Sequence, residues 1–465
     1  MNRLLFVTVV MAIALQTGCR PGGTSSRLAT HSNKRSTDAR SPSGALPVDP
    51  CALALLPPSG RSKVDQEIGR LQQMIPTTRQ PAVLLERLGW LFVSKARESL
   101  DPGFYKLAEQ CAACLDAKEP GSTAAKLLRG HVLQNLHRFR EAEPLARSLV
   151  AERSLSLDYG LLGDVLMEQG NLKEAIEAYQ TMVDLKPDPQ AYARIAHVRW
   201  LKGDLAGARE VMRLAADATN PQAAESAAWV YTRLALYELQ AGAPGAAQSA
   251  CATALHLQAD YPPALLLQGR IFLAAGRSGE AVDCLRRAAR LNPVPEYQWT
   301  LAEALRLAGR TDEARQIEDE LLRTGAANDP RTFVLFLATR GQQPARAVEL
   351  AERELKERAD VHTHDALAWA LAATGRWAEA SRHSEHALAE GTEDPRLHFH
   401  AGIIAAKRGR VAEALKLLDQ ACQFQCLLLP SEREQLKSAR LELASASGAM
   451  LGPDRRAAAS NVSVP

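Results

Sequence analysis

The residues of this chain best suited to chemistry are its cysteines and histidines, eight and eleven of them in 465 residues. Cys111-Ala-Ala-Cys114 has the spacing of a redox or zinc pair, and His131 and His137 follow at distances not far from a two-cysteine, two-histidine zinc site. The local element argues the other way. Residues 104–115 read as one helix with the pair late in it, whereas a redox pair sits at a helix start, where the helix dipole lowers the thiol pKa. Two Cβ atoms three residues apart in a helix also lie ~5–6 Å from each other, against the ~3.8 Å of a disulfide. Buried structural cysteines are expected, with a disulfide or a zinc site as the alternatives, and Cys422 and Cys426 are read the same way. His362 with His364, His383 with His386, and His398 with His400 suggest metal at first glance. No Asp, Glu or Cys set joins them in sequence, so packing or solvated histidines are expected, and no metal or cofactor is assigned.

Other catalytic signatures are missing. The chain has no Gly-rich phosphate loop followed by Lys-Ser or Lys-Thr, no His-Glu-x-x-His and no Gly-x-Ser-x-Gly elbow. It is expected not to be an enzyme. Apolar residues make up 46% and charged residues 23%, enough for a sizeable core. Aromatics at 5% argue against a β-sandwich or propeller, and the dominance of alanine and leucine argues for helices. A formal net charge of +3 gives no electrostatic case for nucleic acid as the partner.

That charge is concentrated near the start: residues 20–63 carry seven basic and two acidic side chains, leaving a mildly acidic body. Residues 1–19 comprise a charged start at Arg3, a run of about a dozen apolar residues and Gln16-Thr17-Gly18-Cys19. The run is too short to span a bilayer as a helix. Lipidation, ordinary cleavage and an uncleaved anchor are the three outcomes open to such a segment. Gly18-Cys19 resembles a bacterial lipoprotein signal, although Gln16 stands where an apolar residue is usual. The resemblance implies a signal peptide over 1–18, lipid on Cys19, and an outer-membrane lipoprotein facing the periplasm. Residues 19–62, rich in Ser, Gly, Pro and Arg, read as a disordered tether.

From about residue 65 the pattern is helical, with apolar residues at three- and four-residue steps. Glycines interrupt it at 170, 203, 242, 276, 309, 341, 375 and 409, at steps of 32 to 39 residues. Each glycine ends one helix in a left-handed conformation, and seven of the eight are followed five residues later by alanine, small enough for two helices to approach. Gly341 is followed by Ala347, so that turn is one residue longer. This period predicts a solenoid of helical hairpins. Leu162-Gly163, Gly170, Ala175, Tyr179 and Pro187 resemble one unit of the tetratricopeptide repeat, and Gly269, Gly276, Ala281, Leu285 and Ala288 resemble another. An earlier unit has His137 in place of the turn glycine. The resemblance implies an all-α, right-handed solenoid: a divergent helical N-terminal cap over 63–122, about nine repeats over 123–429, a capping helix over 430–447 and a disordered tail over 448–465. Ser431 with Glu434 reads as the capping box of that last helix. Cys251 and Cys284 fall in second helices of consecutive units, where a bond between them is the alternative to free thiols.

In such arrays the first helix of each hairpin lines a concave face. The resemblance places His197, Trp200, Trp229, Arg270, Trp299, Glu303, Trp369 and Phe399 near it, together with Leu236 and Arg306. Large aromatics there anchor peptide segments, or else pack between helices. The expected function is a non-enzymatic protein-interaction scaffold at the cell envelope. It would bind peptide or helical segments of other proteins in its groove and the membrane through its N-terminal lipid, with no nucleic acid and no small-molecule substrate. The alternative is an accessory or specificity subunit of an envelope enzyme complex.

Overall fold

Alanine- and leucine-rich segments of 11 to 21 residues, opened by Pro, Asp, Ser or Asn and closed by Gly, fold as α-helices. The computed structural model of the chain describes residues 49–57 and 60–450, with side chains to residue 445. The signal peptide, Cys19, most of the tether and the last 15 residues of the tail lie outside the described residues. Among those described there are 23 α-helices and no strand. They divide into two compact units at Leu136/His137.

The N-terminal unit holds the helices Pro50–Ala54, Lys63–Met74, Pro81–Ser99, Gly103–Lys118 and Thr123–Asn135. Ser62 and Asp65 form a capping box at the second of these, and Lys95 reaches Asp65 at 3.0 Å. Gly89 lets two helices meet: a Cβ there would stand 2.2 Å from the Leu128 side chain. Two cysteine readings change here. Cys114 is not a free structural thiol but is bonded to Cys51, in the segment read as tether, while Cys111 is free and fully buried. The pairing works because Asp49 caps the short helix Pro50–Ala54, and Gln72 Nε2 donates to the carbonyls of Ala54 (3.0 Å) and Leu56 (2.6 Å), holding the helix against the unit.

The second unit is the solenoid. After Phe139–Arg153 come eight hairpins between Ser156 and Gln423, then the capping helix Pro430–Met450. All eight turn glycines have φ between +63° and +80°, and His137 takes the same conformation at +57°. The Gly341 turn is one residue longer, with the next helix starting at Pro344 rather than two residues after the glycine. At the helix crossings, a Cβ on Gly163 would meet the Tyr179 ring at 2.4 Å and one on Gly269 the Leu285 side chain at 2.5 Å. The capping helix starts differently from the expected box. Glu432 Oε2 accepts from Leu429 N at 2.8 Å, and Ser431 is committed to Glu303 through both its N–H (3.0 Å) and its hydroxyl (2.6 Å).

The Ser431–Glu303 contact is one of a set in which the solenoid closes on itself. A helix leaves its last carbonyls without internal partners, and in an open solenoid water would take them. Here later segments supply donors. Ala359 N donates to Glu168 O (3.1 Å), Thr392 Oγ1 to Leu201 O (2.6 Å), and Cys426 Sγ to Leu239 O (3.5 Å). Gln240 Nε2 donates in the other direction, to Glu393 O at 2.8 Å. Three successive first helices are thus closed by inter-repeat segments about 190 residues further along the chain.

The approach is so close that Gly170 and Gly203 serve twice. A Cβ on Gly170 would stand 2.3 Å from Ala359 O and one on Gly203 2.6 Å from Gly391 O, whereas Gly276 has nothing within 4 Å. Gly276→Ala is expected to cost about 1–2 kcal/mol for the left-handed backbone alone. Gly170→Ala must also displace a backbone carbonyl and is expected to cost more. Equal melting shifts for the two variants would contradict the closure.

Candidate functional site

Closure forms a partly open cavity of about 370 Å³ between the first helices of the early hairpins and the segments that face them. On one side stand His197 and Trp200 from Pro189–Leu201, Arg233 and Leu236 from Ala224–Gln240, Arg270 from Pro262–Ala274 and Trp299 from Pro295–Leu307. Opposite them lie residues 358–362, 364, 394–396 and 427–429. The register explains the near wall: His197, Leu236 and Arg270 each stand six residues before a turn glycine.

Of the eight residues expected on the groove, the cavity brings together His197, Trp200, Arg270 and Trp299. The other four lie off its wall. Glu303 is buried and receives Ser431 and Arg340, Trp369 stacks on His400 with centroids 4.1 Å apart, and Phe399 and Trp229 are buried. Trp200 is itself covered, stacking with His197 at 5.6 Å and His362 at 5.9 Å while its Nε1 donates to Gln240 at 2.8 Å. The sequence reading missed Arg233, Arg331, Arg358, Asp360 and Arg396, all on the wall. For Arg233 a signal was available: a lone charge inside the otherwise uncharged, mostly apolar stretch 227–237 of a first helix. For the others there was none, because they come from connections and helix starts that reach the cavity only through closure.

The wall is strongly charged yet largely paired. Arg358 Nε donates to Glu168 at 2.6 Å and lies 3.6 Å from Asp360, while Arg331 meets Asp360 at 2.8 Å. Burial pushes the Glu168 carboxyl above its usual range, opposed by Arg358. Burial also disfavours the Asp360 carboxylate, but Arg331 and Arg358 outweigh it and hold that group below the usual range. His197 is held well below an ordinary histidine by burial first, then by Arg233 and His362. It is therefore neutral, and Arg233 Nη2 lies 3.5 Å from its Nδ1.

At the edge of the cavity, which His364 and His386 line, His364 and His383 face each other with Nδ1 atoms 3.0 Å apart, and His386 stacks on His364. Burial, followed by the other two imidazoles, lowers His364 to about 4. Among the described residues, no group of three His, Cys, Asp or Glu side chains is arranged to hold a metal ion. Cys251 and Cys284 are both free, and burial pushes the Cys251 thiol up to about 12. Among the described residues, no helix is long and apolar enough to cross a membrane.

A family model described as tetratricopeptide repeat matches residues 127–188, 161–224, 232–293, 266–330 and 366–425. No curated protein matches the chain in sequence. Similar solved structures include the human IFIT1 dimer with PPP-AAAA, 12% identical, covering 81% of this chain and 94% of that one, with a TM-score of 0.45. Yeast Tom70 is 13% identical, with coverages of 86% and 96% and a TM-score of 0.35. Pseudomonas aeruginosa pilF is 16% identical, with coverages of 43% and 90% and a TM-score of 0.37.

Proposed function

The chain belongs to the tetratricopeptide repeat family, whose helical arrays are protein-interaction scaffolds, and from that premise we propose that it acts, without catalysing a reaction, as a scaffold of the cell envelope that receives a segment of a partner protein at its inner face. The observation that carries the reading is convergence. His197, Trp200, Arg270 and Trp299, from three different hairpins, meet on one cavity wall with Leu236 between them. Aromatic and arginine side chains in a concave, water-poor setting are the residues that anchor partner segments. Because the later segments cover this wall, a partner reaches it by entering between them or by displacing them.

The envelope assignment draws on two features. The sequence at Gly18-Cys19 resembles a lipidation signal, and the Cys51–Cys114 disulfide suits an oxidising compartment. Labelled fatty acid should enter the wild-type chain and not a Cys19→Ala variant, and a wild-type chain that takes up no label is not a lipoprotein. For the partner, a photo-crosslinking amino acid at Leu236, half-buried on the wall, is compared in intact cells with one at Arg315, exposed on the outer helix Thr311–Asn328. A discrete protein adduct is expected from 236 and not from 315. Adducts of equal yield, or only from 315, would place the working surface elsewhere.

A further inference from the structure

We propose that the cavity also binds a small aliphatic monocarboxylate, with Arg233 holding its carboxylate group. The argument begins with the charges on the wall. Four of its five arginines have a carboxylate partner: Arg270 with Glu296 at 2.8 Å, Arg331 with Asp360 at 2.8 Å, Arg358 with Glu168 at 2.6 Å and Arg396 with Glu432 at 2.8 Å. Arg233 is 8% exposed and has no carboxylate within 4.0 Å among the described residues. Its Nη2 donates to Tyr237 Oη at 3.1 Å, while its Nε has no partner. A buried guanidinium without a counter-charge is costly, and a bound anion removes that cost.

The unsatisfied atoms of the wall residues point the same way. Arg233 Nε, Arg270 Nε and Trp299 Nε1 are buried without partners, and all three are N–H donors; no wall residue among those described has an orphaned side-chain acceptor. The missing partner is therefore a hydrogen-bond acceptor, and beside the Arg233 guanidinium an anionic acceptor makes the stronger bond. A single charge fits best, because Arg233 is the one wall arginine with no carboxylate in contact and Glu168, Glu296, Asp360, Glu390 and Asp394 on the same wall repel a second negative charge. That favours a carboxylate over a phosphate. The rest of the ligand is aliphatic, since Leu236, Leu335, Val361, Leu427 and Leu428 give the wall an apolar part beside its polar and charged residues. A volume of about 370 Å³ lies in the range of small-molecule sites, about 300–1,000 Å³.

This inference stands apart from the partner reading, because it is tested on the purified chain alone. Octanoate is the probe, measured by calorimetric titration and by melting temperature, with octanol and inorganic phosphate as the neutral and doubly charged comparisons. Octanoate is expected to bind saturably and raise the melting temperature, while octanol and phosphate leave it unchanged. Arg233→Met should weaken octanoate binding by at least about tenfold. Leu236→Trp, which fills the wall and leaves Arg233 in place, should weaken it comparably and guards against an Arg233 variant that fails to fold. Failure of octanoate to bind the wild-type chain, equal binding of octanol or phosphate, or undiminished binding by either folded variant would overturn the proposal.

Discussion

Replacing Arg358 with alanine is expected to destabilise the solenoid by about 3–5 kcal/mol, the cost of breaking a buried ion pair from one side. Arg358 and Glu168 have side chains 3% and 8% exposed, and the pair joins residues 190 apart in the sequence. Without Arg358, Glu168 keeps its burial and loses its nearest cation. The neighbouring backbone bond from Ala359 N to Glu168 O should weaken with it. Arg353→Ala, on the exposed face of the helix Pro344–Glu357 that ends just before Arg358, is the control and should change stability by no more than about 0.5 kcal/mol. Thermal melting separates the two variants, and hydrogen exchange at residues 168–171 shows whether closure is what has been lost. Similar melting temperatures would mean that Arg358 does not hold the later segments in place.

The second large effect belongs to the N-terminal unit. Cys51 and Cys114 are 63 residues apart, and in the chain-entropy account a loop of that length stabilises the folded unit by about 4 kcal/mol. Cys51→Ser, or reduction of the wild-type chain, should therefore lower amide protection in the helices Pro81–Ser99 and Gly103–Lys118 by roughly a thousandfold. Cys111→Ser, at a free buried thiol whose pKa burial raises, offers the contrast: it keeps the Cys51–Cys114 bond, so protection should still fall on reduction as in the wild-type chain. If protection in the wild-type unit is indifferent to reductant, the bond contributes nothing to its stability.

Most of the solenoid was legible in the sequence because its signals are local. A turn needing φ > 0 selects glycine, and a close helix crossing selects Gly163, Gly269 and the alanines that follow each turn. His137 could be placed at a turn by period alone, though its residue type gives no hint of a left-handed backbone. Closure was not legible, because it depends on superhelical pitch, and small rotations per repeat accumulate over some 190 residues. For the same reason half of the expected groove residues meet on one cavity while Glu303, Trp369, Phe399 and Trp229 lie elsewhere. Glu303 stands at the same offset from its turn glycine as Arg270, yet it is taken by Ser431, which no local pattern could bring there. The disulfide escaped for a different reason. The apolar run Cys51-Ala-Leu-Ala-Leu-Leu sits within a Ser- and Pro-rich stretch whose average composition hides it.

The most direct measurement is the affinity of wild-type and Leu236→Asp chains for the protein cross-linked at position 236, taken together with their melting temperatures. Leu236 is half-buried on the cavity wall, so the substitution places a charge at the inner face without emptying the helix packing behind it. If the inner face receives the partner, the variant melts close to wild type and binds roughly thirtyfold or more weakly, the loss expected of a removed anchor. A variant that melts normally and binds with wild-type affinity would contradict an inner-face site.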